Sequence, residues 1–261
     1  MRLTLAYLYG DLMNLYGDRG NILSIQRRCA WRGIDVSLIE AGVGDRLDPS
    51  APDMLFFGGG QDVEQETVSR DLAGGNGEAI QQAVDEGAAL LAVCGGYQLL
   101  GRFFRTAEGT EIPGTGLFDA YTVAGGARMV GNVVAEAALD GQTHTLVGFE
   151  NHSGRTNLGA RAESPGSSGS TGTLARVLVG HGNNGHDGKE GAVRGGAIGT
   201  YLHGPVLPKN PWLADWLILT ALRRHHDIAA LAPLDDALEI ATNRALATRF
   251  KKEGNVRSSI R

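Results

Sequence analysis

The sequence predicts an α/β fold: a mostly parallel sheet with helices on both faces and additional antiparallel strands in its second half. Short apolar runs alternate with amphipathic stretches through the first hundred residues, and glycine clusters punctuate them. After Gly101 the apolar runs follow one another with glycine breaks and no helix between them. The length of 261 residues and hydrophobic content of 42% suit one globular unit with a large core.

Leu3–Leu8 reads as an opening buried strand ending at Gly10. Asp18 to Trp31 has helical spacing and stops at Gly33. Ile34–Ile39 and Met54–Phe57 are the second and third strands, the latter running into Gly58-Gly59-Gly60. Helices are expected near Val63–Leu72 and Glu78–Glu86, separated by Gly74-Gly75-Asn76-Gly77. Ala89–Val93 is a fourth strand, Cys94 follows it, and Gly96–Phe103 reads as a helix. Ala120–Val123, Arg128–Ala135 and Thr145–Phe149 suggest antiparallel pairing. Ala197–Tyr201 is a late buried strand with His203 just beyond it. Trp212–His225 and Asp236–Ala247 are amphipathic helices. Residues 1–248 read as one domain containing a Gly/Ser-rich surface loop at 163–173, and 249–261 as a flexible basic tail.

Composition excludes several classes. The net charge of −5 argues against nucleic acid or an anionic membrane surface as direct partner. The two cysteines, Cys29 and Cys94, are too few for a disulfide framework and lack metal-ligand spacing, which points to a reducing cytosol. The N-terminal apolar run is broken at Gly10-Asp11, too early for a signal peptide or membrane helix. A soluble cytoplasmic protein without membrane insertion is expected.

The chemistry concentrates in LLAVCGGYQLLG, Leu90 to Gly101. An apolar strand delivers Cys94 into a tight turn, two glycines follow, and a helix begins, as in a nucleophile elbow with Cys in place of Ser. The helix N-terminus favours thiolate, and the backbone N–H after the nucleophile can stabilise an oxyanion. The amides of Gly58–Gly60 offer the other half of such a hole. His203 in GTYLHGP follows a strand on the same sheet edge if both strands are parallel, where it would act as base. His152 in FENHSGR is a rival. His181 and His186 in HGNNGHDG lack further ligands and do not make a metal site. His225 and His226 read as solvent-facing on a helix, and Cys29 as helix core packing.

The elbow together with YLHGP resembles the glutamine amidotransferase domains of the cobyric-acid-synthase type, which are class I-like and flavodoxin-like in fold. Within them, DLMNLYGDRGN (11–21), FFGGGQD (56–62), GFENHSGRT (148–156), HGNNGHDG (181–188) and GTYLHGPVLPKNP (199–211) resemble the GatD family, over roughly residues 3 to 225. That family supplies the glutaminase subunit of lipid II isoglutaminyl synthase. The resemblance implies hydrolysis of L-glutamine through a Cys94 thioester with His203 as base. It implies oxyanion donors at Gly60 and Gly95, and Arg128 holding the substrate, for which a guanidinium fork on a carboxylate is the physical rationale. It also implies a heterodimer with a MurT-type, Mur-ligase-like subunit. That partner would carry ATP and Mg and amidate the D-glutamate of lipid II to D-isoglutamine at the inner face of the membrane, while this chain needs no cofactor or metal. Gly204, Pro205 and Val206 follow His203, so the carboxylate that triad amidotransferases carry two residues after histidine is missing. The resemblance favours an acid from the partner and an isolated chain that works slowly; a Cys–His dyad is the other reading. The alternatives are a glutaminase for corrinoid amidation, a non-catalytic scaffold subunit, and a thiol hydrolase acting alone. The chain has no G-x-x-x-x-G-K-[ST] motif of its own.

Overall fold

In a computed structural model, which describes residues 1–14, 17–159 and 169–258 and side chains as far as 254, the first apolar runs build one parallel sheet. β1 (Arg2–Leu8), β2 (Asp35–Ala41), β3 (Met54–Phe57) and β4 (Ala89–Val93) lie in the order β2-β1-β3-β4. β3 and β4 are buried at every position, the pattern of strands covered on both faces. Between β1 and β2, α1 (Arg19–Ala30) buries Ile22, Ile25 and Cys29. The glycine cluster at 74–77 does not open a loop. A wide turn, Leu72–Asn76, joins α2 (Asp62–Asp71) to α3 (Gly77–Asp85). It bends where Gly75 takes a φ of 121°, which a side chain would strain.

α4 covers only Gly95–Leu99, less than the Gly96–Phe103 expected. At Gly101 a Cβ would meet the Ala120 carbonyl at 2.9 Å, and the chain leaves the helix at that close approach. Phe103–Arg105 is instead β5, paired with β6 (Glu111–Pro113) and with β7 (Ala120–Leu139). The three short runs expected at 120–149 merge into one long hairpin of β7 with β8 (Gln142–Leu158). Its turn, Asp140-Gly141, has φ of 50° and 74°, the two positive values a type I′ turn requires. β9 (Ala175–Val179) and β10 (Lys189–Glu190) complete this second sheet. Residues 163–168 of the Gly/Ser-rich stretch lie outside the described residues.

The chain then returns to the first sheet. β11 (Ala192–Arg194) pairs antiparallel with β12 (Ala197–Thr200), and β12 lies parallel beside β4. After one residue, β13 (Leu202–His203) pairs with Phe149 and Glu150 of β8. His203 thus stands at the seam of the two sheets, not beyond a free strand end. α5 (Pro211–Arg223) packs on β3 and β4. α6 (Ala237–Ser258) runs well past Ala247, so residues 249–258 continue a helix where a flexible tail was expected. Ala247 and Phe250 are buried with Val134 and Val147 of the hairpin. Residues 259–261 lie outside the described residues. Among the described residues no helix is long and apolar enough to cross a membrane.

α1 and α5 are clamped by charge. Arg28, 3% exposed, forks Asp215 at 2.7 and 2.8 Å and Asp236 at 2.7 Å, while Arg32 reaches Asp215 at 2.6 Å. Removing a buried partner leaves its counter-charges uncompensated. Arg28→Ala should lower unfolding free energy by about 2–4 kcal/mol in urea titration, tempered by the partial exposure of both carboxylates.

Candidate active site

The carboxyl ends of β3, β4 and β12 lie side by side, the edge at which open α/β sheets gather ligands. Cys94 follows β4 with φ 50° and ψ −106°, a strained value for a residue with a side chain. The turn is held from three directions. The Cys94 N–H donates to the Thr200 carbonyl at 2.8 Å, the Gly96 N–H to Gly58 at 3.1 Å, and the Gln98 N–H to Cys94 at 2.9 Å. Glycine is required beneath it, because a Cβ at Gly96 would stand 2.7 Å from the Phe57 carbonyl.

His203 and Asp18 are both fully buried, and His203 Nδ1 lies 3.3 Å from Asp18 Oδ1. The other carboxylate oxygen of Asp18 accepts the Gly59 N–H at 3.2 Å. Asp18 stands at the N-terminus of α1 yet makes no side-chain cap there; it turns inward. Around it, the Leu207 N–H donates to Asn21 at 2.9 Å, and Gly20 meets Pro205 where a Cβ would be 2.5 Å away. The segments 17–21 and 203–207 therefore lock together. Gly59 marks the meeting point: a Cβ there would lie 3.2 Å from His203 Cε1, 3.4 Å from Cys94 Cβ and 3.5 Å from Asp18 Oδ2. Burial opposes charge on His203, but hydrogen bonds to Asp18 and Cys94 outweigh it and raise its pKa to about 10. The carboxylate expected from a second chain is thus present in this one, 185 residues upstream of His203.

A cleft of about 720 Å³ opens over Cys94, bounded by Gly60, Asp62, Gln98, Arg128 and His152 among others. The Gly60 nitrogen lies 2.9 Å from where a Cβ of Gly95 would stand, so the two amides share one wall. Gly95 opens α4, where N–H groups have no partner within the helix. Arg128 reaches the cleft from an irregularity in β7, whose register slips between Ala124 and Met129. Its guanidinium donates to the Asn151 side chain and, at 3.2 Å, to the Asn151 carbonyl. Burial and Glu108 push Asp62 up, while Arg128 across the cleft opposes them.

The rival histidines fall elsewhere. His152 borders the cleft but stacks on Tyr201 at 3.6 Å and donates its Nδ1–H to the Gly154 carbonyl at 2.9 Å. Burial lowers its pKa. His181 bonds Glu150 at 2.7 Å. His225 lies just past α5, 54% exposed, and His226 beside it. Among the described residues no group of three or more His, Cys, Asp or Glu gathers as metal ligands would. Cys29 is fully buried, and burial pushes its thiol up to about 12. Of the residues singled out from the sequence, Cys94, Gly60 and Arg128 line the cleft, Gly95 packs against Gly60, and His203 lies buried beside Gly59. Asp18 lies within DLMNLYGDRGN, but nothing near it in the sequence points to His203, 185 residues away.

An elbow cysteine, a histidine with a buried carboxylate and paired amides are the parts that a thiol nucleophile acting on a carbonyl needs. The chain belongs to the CobB/CobQ-like glutamine amidotransferase family, whose model matches residues 4–211, and is a glutamine-hydrolysing amidotransferase. Within that family it is similar to the lipid II isoglutaminyl synthase (glutamine-hydrolyzing) subunit GatD of Staphylococcus aureus, 36% identical over 96% of this chain and 97% of the relative. The subunit of the same name from Streptococcus pneumoniae is 37% identical over 86% and 82%. A cobyric acid synthase of Pelotomaculum thermopropionicum is 29% identical over 70% of this chain, but only 36% of its own length is matched. The fold is shared with the solved structure of PurLQS from Thermotoga maritima, at 13% identity and a TM-score of 0.54 over 85% of this chain and 99% of that one.

The two cysteines should differ sharply in reactivity. Iodoacetamide on the native chain should alkylate Cys94 at least about a hundredfold faster than Cys29, since burial closes Cys29 to the reagent and holds its thiol protonated, while Cys94 faces the cleft. Peptide mass spectrometry over a time course reads the ratio, and equal rates would contradict the assignment.

Proposed function

We propose that this chain hydrolyses L-glutamine to glutamate and ammonia and passes the ammonia to a synthetase partner that amidates lipid II. The meeting of Cys94, His203 and Asp18 around Gly59 carries the hydrolytic part of the reading. The relatives that match nearly end to end carry the rest, being named as subunits of a lipid II isoglutaminyl synthase.

Asp18 holds the Nδ1–H of His203 and so fixes the ring's tautomer and aim. His203 takes the Cys94 proton, and the thiolate attacks the side-chain amide carbon of glutamine. The oxygen of the tetrahedral intermediate gains negative charge facing the Gly60 and Gly95 amides. Its collapse breaks the C–N bond, His203 returns the proton to the leaving nitrogen, and ammonia departs from a glutamyl thioester. His203 then deprotonates a water that attacks the thioester; glutamate leaves and the proton returns to sulfur. Arg128 receives the α-carboxylate of glutamine in a bidentate fork.

The partner in this reading is a MurT-type, Mur-ligase-like subunit, which uses ATP with Mg to activate the D-glutamate carboxyl. Ammonia from this chain then converts that residue to D-isoglutamine, at the inner face of the membrane. The intact Cys94 elbow speaks against a purely scaffolding subunit, and a corrinoid synthetase is disfavoured because those relatives are matched over only about a third of their length.

Cys94→Ala should abolish ammonia release from glutamine and covalent labelling by an electrophilic glutamine analogue. With the partner present it should still support amidation from added ammonium. Amidation from glutamine that survives the substitution would favour the scaffold reading. Arg128→Ala should raise KM for glutamine by about 10–100-fold with a smaller effect on kcat, the pattern of a lost charged contact made in ground and transition states alike. An unchanged KM would remove Arg128 from substrate binding.

A further inference from the structure

Below the nucleophile lies a carboxyl group that the hydrolytic scheme leaves unused. Glu190 on β10 is wholly inaccessible, a placement unfavourable for an acid unless its surroundings hold it. Gly191 permits it, with φ 65° and a Cβ position only 2.5 Å from the Gly199 carbonyl. Asn183 of the HGNNGHDG motif then grips Gly191 on both sides, accepting its N–H at 2.9 Å and donating to its carbonyl at 3.0 Å.

So anchored, Glu190 Oε1 accepts the Thr200 hydroxyl at 2.6 Å and the Tyr201 N–H at 2.9 Å. The Thr200 hydroxyl accepts the Leu202 N–H at 3.1 Å, and the Thr200 carbonyl is the one that holds the Cys94 N–H at 2.8 Å. One oxygen therefore fixes the step between β12 and β13, which holds the Cys94 backbone on one side and leads to His203 on the other. Tyr201 carries the constraint to the cleft through its hydroxyl, bonded to Thr156 at 2.6 Å and Gln98 at 3.1 Å, and its ring, stacked on His152. The ionisable groups around Glu190 are the Glu150 carboxyl and the Tyr97 phenol. Burial, with Glu150 adding to it, pushes Glu190 up to about 7. Both the Thr200 hydroxyl and the Tyr201 N–H are taken by the one oxygen, Oε1.

We infer that Glu190 is a positioning residue for the glutaminase reaction: its acceptor oxygen sets the Thr200–Tyr201 step and, through it, where the Cys94 thiol meets the His203 ring. The inference rests on the hydrolytic reading of the cleft. What the step needs is an acceptor oxygen rather than a charge, so glutamine serves in place of Glu190 and leucine does not.

The full chain tests this with two readouts. Iodoacetamide alkylation of Cys94 requires no glutamine; kcat and KM for glutamine follow separately. Glu190→Leu should slow alkylation at pH 7 about tenfold and lower kcat about 10–100-fold with KM within about twofold, the signature of misplaced reacting groups beside an intact substrate pocket. Glu190→Gln should stay within about threefold of the original chain in every quantity, because the acceptor is retained. If the leucine variant does not fold, Thr200→Val removes the same bond from its other end and should show the same losses. A folded Glu190→Leu or Thr200→Val chain with unchanged alkylation and kcat would overturn the inference, as would equal losses in the Gln and Leu variants. If the original chain released no ammonia even with a synthetase partner present while the alkylation difference held, the positioning role would stand and the glutamine reading would fall.

Discussion

The arrangement depends on one backbone constraint, the positive φ of Cys94. A non-glycine residue in that region stores about 1–3 kcal/mol and persists only where its neighbours over-determine it. Here they do: Thr200 on one adjacent strand, Gly58 just past the end of the other, and the first turn of α4 each hold one hydrogen bond of the elbow. The same closeness explains the glycines around it. Gly96 sits under the β3 carbonyls and Gly95 against the Gly60 peptide, so the elbow and the Gly58–Gly60 turn form one wall. The strain lifts the sulfur off the sheet toward the cleft and turns the following amides the same way.

A second constraint is electrostatic. Asp18 and His203 are both closed to solvent, where an isolated charge would be strongly disfavoured. They stand as a hydrogen-bonded pair, Asp18 further held by the Gly59 N–H, and Cys94 completes the set on the other side of the histidine. The amidotransferase pattern of a glutamate two residues after histidine is replaced by an aspartate from the opposite end of the chain. It comes within reach because α1 begins beside the end of β13, with Asn21 and Gly20 docked on the loop after His203.

Much of this was legible in the sequence. Continuous apolar runs such as Met54–Phe57 and Ala89–Val93 announce buried parallel strands, and Cys-Gly-Gly after one of them announces the elbow. The less legible parts were those governed by distant contacts. α4 stops early because Gly101 abuts Ala120, which nothing near Gly101 reveals. The hairpin was read as fragments because its internal glycines look like breaks, although Asp140-Gly141 was a readable turn. α6 was cut short because its last turns are charged, and only the hairpin surface that buries Phe250 accounts for its length. Asp18 is hidden for a related reason: its partner His203 lies 185 residues away.

The claim that this chain carries its own acid is open to one direct measurement. Ammonia release from glutamine should be followed for the isolated chain and for Asp18→Asn, each without partner. The account predicts measurable turnover by the unaltered chain and a kcat lower by about 10²–10⁴ in the variant, the range expected when a histidine loses the carboxylate that fixes its tautomer. Equal rates in the two, or an unaltered chain that turns over only once a second subunit is added, would contradict it.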